Sequence, residues 1–570
     1  MDELEVLSNK LKAILAKYDT RWFLGNLSFL ITCIDGKAND QLGKLSSPMR
    51  QLYYLGGLLM SSANNNGIKI QYSDEEWQEI IDLLNKIELE YYKNFFPKTE
   101  ETITEEWKNH REIAMPSFLS YFNQGPLNYE EQSINWIMDL FSKMDDTIEK
   151  NYGIKTTDLI SFYNAIDSLF QSNFNATITH NYRDNWEQYS NYPLFVADEA
   201  PQEIKDLFDE NRKYTLLSVA DFGMNLRFKK EDLTDESLTI EKINKILSLL
   251  STKRKEQDFL FYTQTKPLNP LIEFPIIDLE DGLFQVFEIK QILHSIQYHL
   301  EKLCNNQCQD KFVKQKGSLL ETNIIELFKQ LFGEKDLRIY QSYYVVDGCE
   351  QDILLIWGKY AFIIEAKAYN IKEPFRDPEK AFVRIKNDFD SCIGYAYEQT
   401  RRVEKYFIDG KNIDIKDKNG NIIDTIDTTK IDCDFSIIVN QKSFGPIQTN
   451  LELLLHKEKD DDVLPWAVKF DDLEVFIKTL IAQKKKPTLF VDFLLIRELL
   501  HGHIICDDEL QICGGFLSKK ITKRVAKDES KMIYTIPDLA NLFDEQYKRG
   551  MGFKNERNIE YKKSGNTLFW

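Results

Sequence analysis

The sequence predicts an α/β fold, with a mixed sheet flanked by helices at its core and large, mainly α-helical regions on the N-terminal and C-terminal sides. Three observations predict it. Apolar residues recur at helical spacing over about 2–170. The segment 311–439 reads in order as helix, strand, strand, strand, helix, loop and strand. Helical spacing returns over 473–482 and 489–500.

Four regions follow from these patterns. We expect a helical N-terminal domain over 1–172, a mixed α/β connecting region over 173–304, the α/β core over 305–445 and a mainly helical C-terminal region over 446–570. Within the second region, extended runs on both sides of the turn residues 280–282 predict a hairpin.

Composition limits the class of protein. The formal net charge of −19 excludes a uniformly basic coat for nucleic acid, although a small basic cleft on an acidic body stays compatible with it. The 37 Phe, 27 Tyr and 8 Trp exclude a disordered acidic tail, because such tails lack the aromatic residues of a packed core. The eight Cys include no CxxC pair, which is typical of a reducing compartment and not of a disulfide framework.

The N-terminal residues 1–18 mix both charges and have no apolar segment of the kind that signal peptides carry. No apolar run in the sequence approaches the roughly 18 residues that a membrane-spanning helix requires. We therefore expect a cytoplasmic protein that has no membrane partner.

The most informative stretch of the core is a hairpin. Two apolar runs flank the dipeptide Gly358-Lys359, and Gly in the first central position favours a two-residue type II′ turn. Such a turn pairs Trp357 with Tyr360, and this pairing sets the register of both strands.

Counting outward from the turn, Asp352 lies directly opposite Glu365. Opposed residues of an antiparallel pair lie about 5 Å apart on the same face, and the period of two puts Lys367 on that face with Ala366 turned away. Two carboxylates this close repel each other unless a cation neutralises them. A divalent metal such as Mg²⁺ does so through oxygen ligands, and it also polarises phosphates and activates water. The pattern therefore indicates phosphodiester hydrolysis.

The pattern alone has a simpler interpretation. An Asp/Lys or Glu/Lys ion pair at the solvated end of a hairpin needs no metal, and a D-x12-E-x-K spacing is short enough to occur by chance. The elements around the hairpin decide between the two interpretations.

These elements occur in a familiar order. A helix over 317–328 carries Glu321, a strand over 337–346 follows it, and the helix after the hairpin carries Gln399. The arrangement resembles the PD-(D/E)XK nuclease superfamily, in particular its restriction-endonuclease-like members with a D…E-A-K signature. The resemblance covers about 311–439, under a quarter of the chain. Members of the superfamily often have a proline directly before the motif aspartate, and in this chain that position is Gln351.

The resemblance implies a nuclease domain over 305–445 that depends on Mg²⁺ or Mn²⁺. It implies a DNA endonuclease active in restriction or antiviral defence in microbes, acting as a homo-oligomer or with a defence-system partner protein. Lys367 would be the catalytic lysine, and Gln399 would complete the cluster. The implied metal ligands are Asp352, Glu365, Glu321 and the Ala366 carbonyl. The alternative function is an inactive nuclease-fold scaffold that binds nucleic acid or protein.

The supporting residues each have a second interpretation. Ser318 and Glu321 have the spacing of a capping box, in which Glu321 would stabilise a helix start. Gln399 also fits an ordinary helix surface. The core segment 311–410 balances 16 Lys and Arg against 16 Asp and Glu, which fits either phosphate contacts or a solvated helix face. The basic residues after the hairpin are Lys372, Arg376, Lys380, Arg384, Lys386, Arg401 and Arg402.

Two further patterns lie outside the core. The first 300 residues contain no P-loop and no glycine-rich nucleotide loop, so energy coupling in this chain is not expected. The acidic residues 507–509 precede an apolar run, and we interpret them as a turn that leads into a strand.

Overall fold

The computed structural model describes most of the chain in ordered elements. The described residues are 2–32, 41–63, 67–69, 75–97, 102–123, 128–179, 223–346, 348–369, 377–459, 461 and 463–556. They form two compact units, one from the described residues of 2–96 and 123–309 and one from those of 97–122 and 310–556.

Among the described residues, helices alternate with strands from Arg227 onward. In chain order the α-helices are α1 Glu3–Leu15, α2 Thr20–Thr32, α3 Pro48–Met60, α4 Glu75–Lys93, α5 Glu105–Asn123, α6 Glu130–Phe141, α7 Asp145–Tyr152, α8 Thr156–Thr179, α9 Ile240–Leu250, α10 Pro270–Glu273, α11 Ile289–Gln307, α12 Gln309–Phe332, α13 Pro378–Phe389, α14 Tyr395–Ile408, α15 Pro446–Thr449, α16 Phe470–Ala482, α17 Thr488–Arg497, α18 Glu509–Leu517, α19 Lys523–Ala526 and α20 Asn541–Arg549.

The first unit is mainly helical, and the helical pattern predicted over 2–170 is confirmed. A small four-stranded sheet accompanies the helices. Its strands are β1 Arg227–Phe228, β2 Ser251–Thr252, β3 Ile276–Asp278 and β4 Phe284–Val286, in the order β1-β4-β3-β2. The predicted hairpin is β3 and β4, which pair antiparallel around a turn where Glu280 and Gly282 have positive φ.

One buried arginine ties the helices of this unit together. The Arg254 guanidinium donates to the carbonyl oxygens of Ala16 and Ala63 at 2.8 and 2.7 Å, just beyond the ends of α1 and α3. It also donates to the Tyr18 carbonyl at 2.7 Å. Because the last carbonyls of a helix lack partners within the helix, a cation there satisfies them and opposes the helix dipole.

The second unit is built on a seven-stranded mixed sheet. Its strands are β5 Leu337–Val346, β6 Cys349–Trp357, β7 Tyr360–Lys367, β8 Ile413–Lys416, β9 Ile422–Ile426, β10 Cys433–Asn440 and β11 Trp466–Lys469. The spatial order is β11-β10-β7-β6-β5-β8-β9. β7 pairs antiparallel with β6 and parallel with β10, so the sheet changes from antiparallel to parallel at β7. A separate pair, β12 Ile504–Ile505 and β13 Ile533–Tyr534, is parallel.

Helices cover both faces of this sheet. On one face, Phe328 and Phe332 of α12 pack against Phe362 of β7, and Phe490 of α17 completes the aromatic cluster. On the other face, Val403 of α14 belongs to a buried apolar cluster with strand residues that include Leu354, Ala361 and Ile363. The prediction of a mixed sheet flanked by helices is therefore confirmed. The nuclease character of this core remains a prediction at this stage.

Two local predictions need correction. The loop predicted before the last strand of 311–439 contains an additional hairpin, β8 and β9, which extends the sheet beyond the predicted strands. The prediction of a strand after 507–509 is wrong. The Asp508 carboxylate accepts from the Leu510 backbone N–H and caps α18, so the apolar run forms a helix. The domain boundaries at 172, 304 and 445 stay predictions.

In the part of the chain that the structure describes, none of the helices combines the length and the apolar character needed to cross a bilayer.

The aromatic cluster yields a test of what holds the sheet. Phe362 is fully buried and contacts four other rings. We expect Phe362→Ala to lower the free energy of unfolding of this unit by about 3–5 kcal/mol, because the large cavity loses both transfer energy and packing. Urea unfolding followed by circular dichroism measures it. The control is Ile423→Ala, which truncates a side chain that is 59% exposed. Equal losses in both variants would contradict this account of the core.

Candidate functional site

The hairpin of β6 and β7 has the predicted register. Trp357 pairs with Tyr360, and Gly358 adopts a φ of +57°, as the first position of a type II′ turn requires. The ladder runs without interruption to the pair Ile353 and Ile364, so the next residues outward are Asp352 and Glu365. The two carboxylates therefore meet at the open end of the hairpin.

The three residues of the predicted motif are in direct contact. The Lys367 ammonium donates to Glu365 Oε2 at 2.8 Å and to Asp352 Oδ2 at 3.4 Å. The Ala366 backbone N–H donates to the same Asp352 oxygen at 2.8 Å. The Glu365 side chain is 1% exposed, whereas the side chains of Asp352 and Lys367 are 20% and 16% exposed. The cluster therefore opens to solvent on the Asp352 and Lys367 side.

The fourth contact comes from α14. Gln399 is buried and its Oε1 accepts from the Lys367 ammonium at 2.7 Å. A π-helical turn over Asp390–Gly394 joins α13 to α14, and such turns often occur at functional sites because they shift the following residues around the helix axis. Gln399 is thus a part of the site and not an ordinary surface residue. The sequence contains no recognisable signal for the π-helical turn.

Glu321 lies in the middle of α12, so its interpretation as half of a capping box is wrong. It accepts from Gln341 Nε2 at 3.0 Å and makes no hydrogen bond to the motif residues. Burial raises the pKa of Glu321, and the negative charges of Asp352 and Glu350 add to the effect. Its carboxylate therefore lies close enough to sense the cluster, at the margin of the site.

Burial dominates the electrostatics of the motif. It raises the pKa of Glu365 to about 8, and the Lys367 ammonium opposes this only in part. Burial acts to lower the pKa of Lys367, but the adjacent carboxylates of Glu365 and Asp352 outweigh it and the net shift is upward. The lysine is therefore cationic, and two carboxylates beside one ammonium leave the cluster with one excess negative charge. At neutral pH a proton held on Glu365 removes this excess charge.

Two buried polar atoms beside the motif lack hydrogen-bond partners within the described residues, and neither was predicted. The Tyr343 hydroxyl on β5 is one, and burial, with the charges of Glu365 and Asp352, raises the pKa of this tyrosine well above its usual range. The Oε1 atom of Gln351, the residue at the position of the expected Pro, is the other. Next to Tyr343, Ser342 has a φ of +50°, which is costly for a residue with a side chain.

Two of the described basic residues after the hairpin are paired with carboxylates. Arg401 is 1% exposed and pairs with Glu404 at 3.0 Å and with Asp461 at 3.5 Å, so it is structural. Lys386 pairs with Asp390 at 2.7 Å. Lys372 and Arg376 lie outside the described residues.

The donors of the site suit a hard cation. Among the described residues, no group of three or more His, Cys, Asp or Glu side chains is assembled to hold a metal ion. The carboxylates of Asp352 and Glu365 converge at the hairpin end, and carboxylate oxygens are the type of ligand that Mg²⁺ and Mn²⁺ prefer. Three donors at most suit Mg²⁺, which usually keeps several of its waters.

Comparison of the chain with protein-family models, with curated proteins and with solved structures gives no match. The geometry of the hairpin end, and the resemblance of the motif, are therefore the basis for any functional assignment.

The raised pKa of Glu365 predicts a pH dependence of stability in EDTA. The folded-state pKa of about 8 lies above the ordinary value of 4.5 for a glutamate, so the contribution of this group to stability is complete below about pH 4.5 and is lost as pH rises to about 8. Because glutamine stays neutral, the Glu365→Gln variant does not lose this contribution to stability as pH rises. We expect its melting temperature to rise relative to wild type between pH 5 and pH 8.5, as measured by thermal unfolding.

The matched control is Glu350→Gln, which removes an exposed carboxylate two residues before Asp352. It should keep the pH dependence of the wild type. A constant difference between Glu365→Gln and wild type across this pH range would mean that Glu365 is ionised in the folded protein throughout.

Proposed function

We propose that this chain is a metal-dependent endonuclease that hydrolyses phosphodiester bonds in DNA. One observation carries the proposal: the Lys367 ammonium lies 2.8 Å from Glu365 Oε2 and 2.7 Å from Gln399 Oε1. An amine fixed by an acid and an amide, beside a second acid, is the combination that a metal-assisted phosphoryl transfer requires. An ordinary surface ion pair needs neither the burial of Glu365 nor the glutamine.

Each residue has a role in this proposal. Asp352, Glu365 and the Ala366 carbonyl would hold Mg²⁺ or Mn²⁺, with Glu321 reaching it through water. The bound metal would supply Lewis acidity toward the phosphate and a water of lowered pKa. Lys367 would orient the attacking water or stabilise the charge that develops on the phosphate oxygens. Gln399 has no charge to add, and its role is to fix the position of the ammonium.

The choice of DNA, and of restriction or antiviral defence as the biological setting, follows from the resemblance of the motif. Fold and motif alone do not determine a biological role, since one scaffold supports many activities. The alternative function, an inactive scaffold that binds nucleic acid or protein, retains the fold without the chemistry. Removal of the Lys367 amine by substitution distinguishes the nuclease from the inactive scaffold.

Plasmid nicking tests this proposal. We expect the wild type to convert supercoiled plasmid to open-circular or linear DNA with Mg²⁺ or Mn²⁺ and not with EDTA. Lys367→Ala should lower the rate by roughly 10²–10³-fold, because it removes a preorganised positive charge from the reacting phosphate. The matched control, Lys335→Ala, truncates an exposed lysine on the short helical turn before β5 and should cut like wild type.

Equal rates for wild type and Lys367→Ala would rule out this active site, whatever the rate itself. An inactive wild type that still binds DNA, with the same affinity in Lys367→Ala, would favour the scaffold. Melting temperatures of both variants within a few degrees of wild type are needed for either conclusion.

A further inference from the structure

An exposed aromatic ring lies at the open side of the site. Tyr395 is the first residue of α14 and is 49% exposed. The centroid of its ring is 5.7 Å from the Lys367 ammonium. Gln399, four residues later on the same face of the helix, contacts that ammonium as well. One helix face thus presents an amide to the inner side of the amine and a ring to its outer side.

Burial in the core does not account for the position of the Tyr395 ring. Large aromatic side chains stabilise a fold by burial, and Tyr395 leaves about half of its surface in water. Its cation–π contact with Lys367 orients the ring, and such contacts are weak at exposed sites. An oriented ring with an open face is a surface on which another planar group can stack.

The ring and the amine are close enough to contact one nucleotide. The Tyr395 ring centroid is 5.7 Å from the Lys367 ammonium, and in a nucleotide only one sugar separates the base from its phosphate. A phosphate held at Lys367 would therefore bring an adjacent base onto the ring. In an intact duplex that base is stacked between its neighbours and is unavailable, so only an unpaired or extruded base can bind there.

The charge of the protein supports the same conclusion. Duplex binding without base contacts depends on neutralising several phosphates, and this chain has a net charge of −19. Near the site, Arg401 and Lys386 are already neutralised by carboxylates. In proteins that bind single strands, stacking of bases on aromatic rings adds a sequence-tolerant contribution to the phosphate contacts.

We propose that Tyr395 stacks on an unpaired or extruded base beside the scissile phosphate, and that this site therefore cuts single-stranded DNA in preference to duplex. The proposal rests on the nuclease function proposed above and specifies its substrate class. Tyr395 is a substrate-binding residue in it, and Lys367 keeps the chemical role.

The test compares Tyr395→Ala and Tyr395→Phe with wild type on a fluorescein-labelled 30-nucleotide strand and on its duplex. Anisotropy with Ca²⁺ measures binding, and gel analysis with Mg²⁺ measures cleavage. We expect Tyr395→Ala to bind the single strand roughly 5- to 150-fold more weakly, as expected for one lost stacking contact. Tyr395→Phe should stay within about twofold of wild type. Tyr534→Ala is the matched control, because Tyr534 is 69% exposed and lies on β13.

A strand of the same length made of abasic sites isolates the stacking contribution. It should bind wild type and Tyr395→Ala equally, because no base remains to stack. If Tyr395→Ala binds the normal strand like wild type, or weakens the abasic strand equally, the stacking proposal is overturned. The nuclease function then stands as long as Lys367→Ala still abolishes cleavage. If Lys367→Ala cuts like wild type, both proposals fail.

Discussion

The contact between the Lys367 ammonium and the Glu365 carboxylate is the interaction on which the end of the hairpin depends. Glu365 is almost completely buried, and an isolated ionised carboxylate at such a depth would be too costly for a stable fold. The ammonium at 2.8 Å offsets part of that cost, and Gln399 satisfies a further donor of the amine. The remaining cost appears as the raised pKa of Glu365, near 8. The fold thus holds two carboxyl groups, an ammonium and an amide together at an electrostatic cost that is only partly offset.

The sheet explains why the cluster stays in place despite this electrostatic cost. β7 is flanked on both sides by other strands, so its backbone is held by two ladders up to the residues of the motif. The β6 ladder ends at Ile353 and Ile364, which leaves the Ala366 N–H available to the Asp352 carboxylate. Aromatic packing on the opposite face holds β7 against α12 and α17. A rigid support of this kind is what a preorganised site requires.

A second network of charges fixes α14, the helix that contributes Gln399. Arg401, two residues after Gln399, is fully buried between Glu404 and Asp461. The Glu404 side chain is 16% exposed, so little solvent reaches this side of the helix, and this burial raises the pKa of Glu404 to about 7. The buried pair holds the helix in one rotational position, so Gln399 and Tyr395 both face the amine. The arginine therefore acts on the site through the position of the helix and not through phosphate.

The sequence by itself determined the hairpin, its register and the meeting of Asp352, Glu365 and Lys367. Once the two-residue turn is set, the pairing of the strands and the side-chain period of two determine which residues lie opposite each other on one face. Local rules are therefore sufficient to predict the register. The helical first unit and the sheet flanked by helices also follow from apolar spacing, which is a local property.

Tertiary structure alone decided the rest. Whether Gln399 reaches the amine depends on a π-helical turn and on the packing of α14, and whether Arg401 meets phosphate or carboxylate depends on Asp461, sixty residues later. The depth of Glu365, the burial of Tyr343 and the exposure of Tyr395 are likewise properties of the assembled unit. Burial and long-range charge pairs arise only when distant segments pack together, so the spacing of residues along the chain does not predict them.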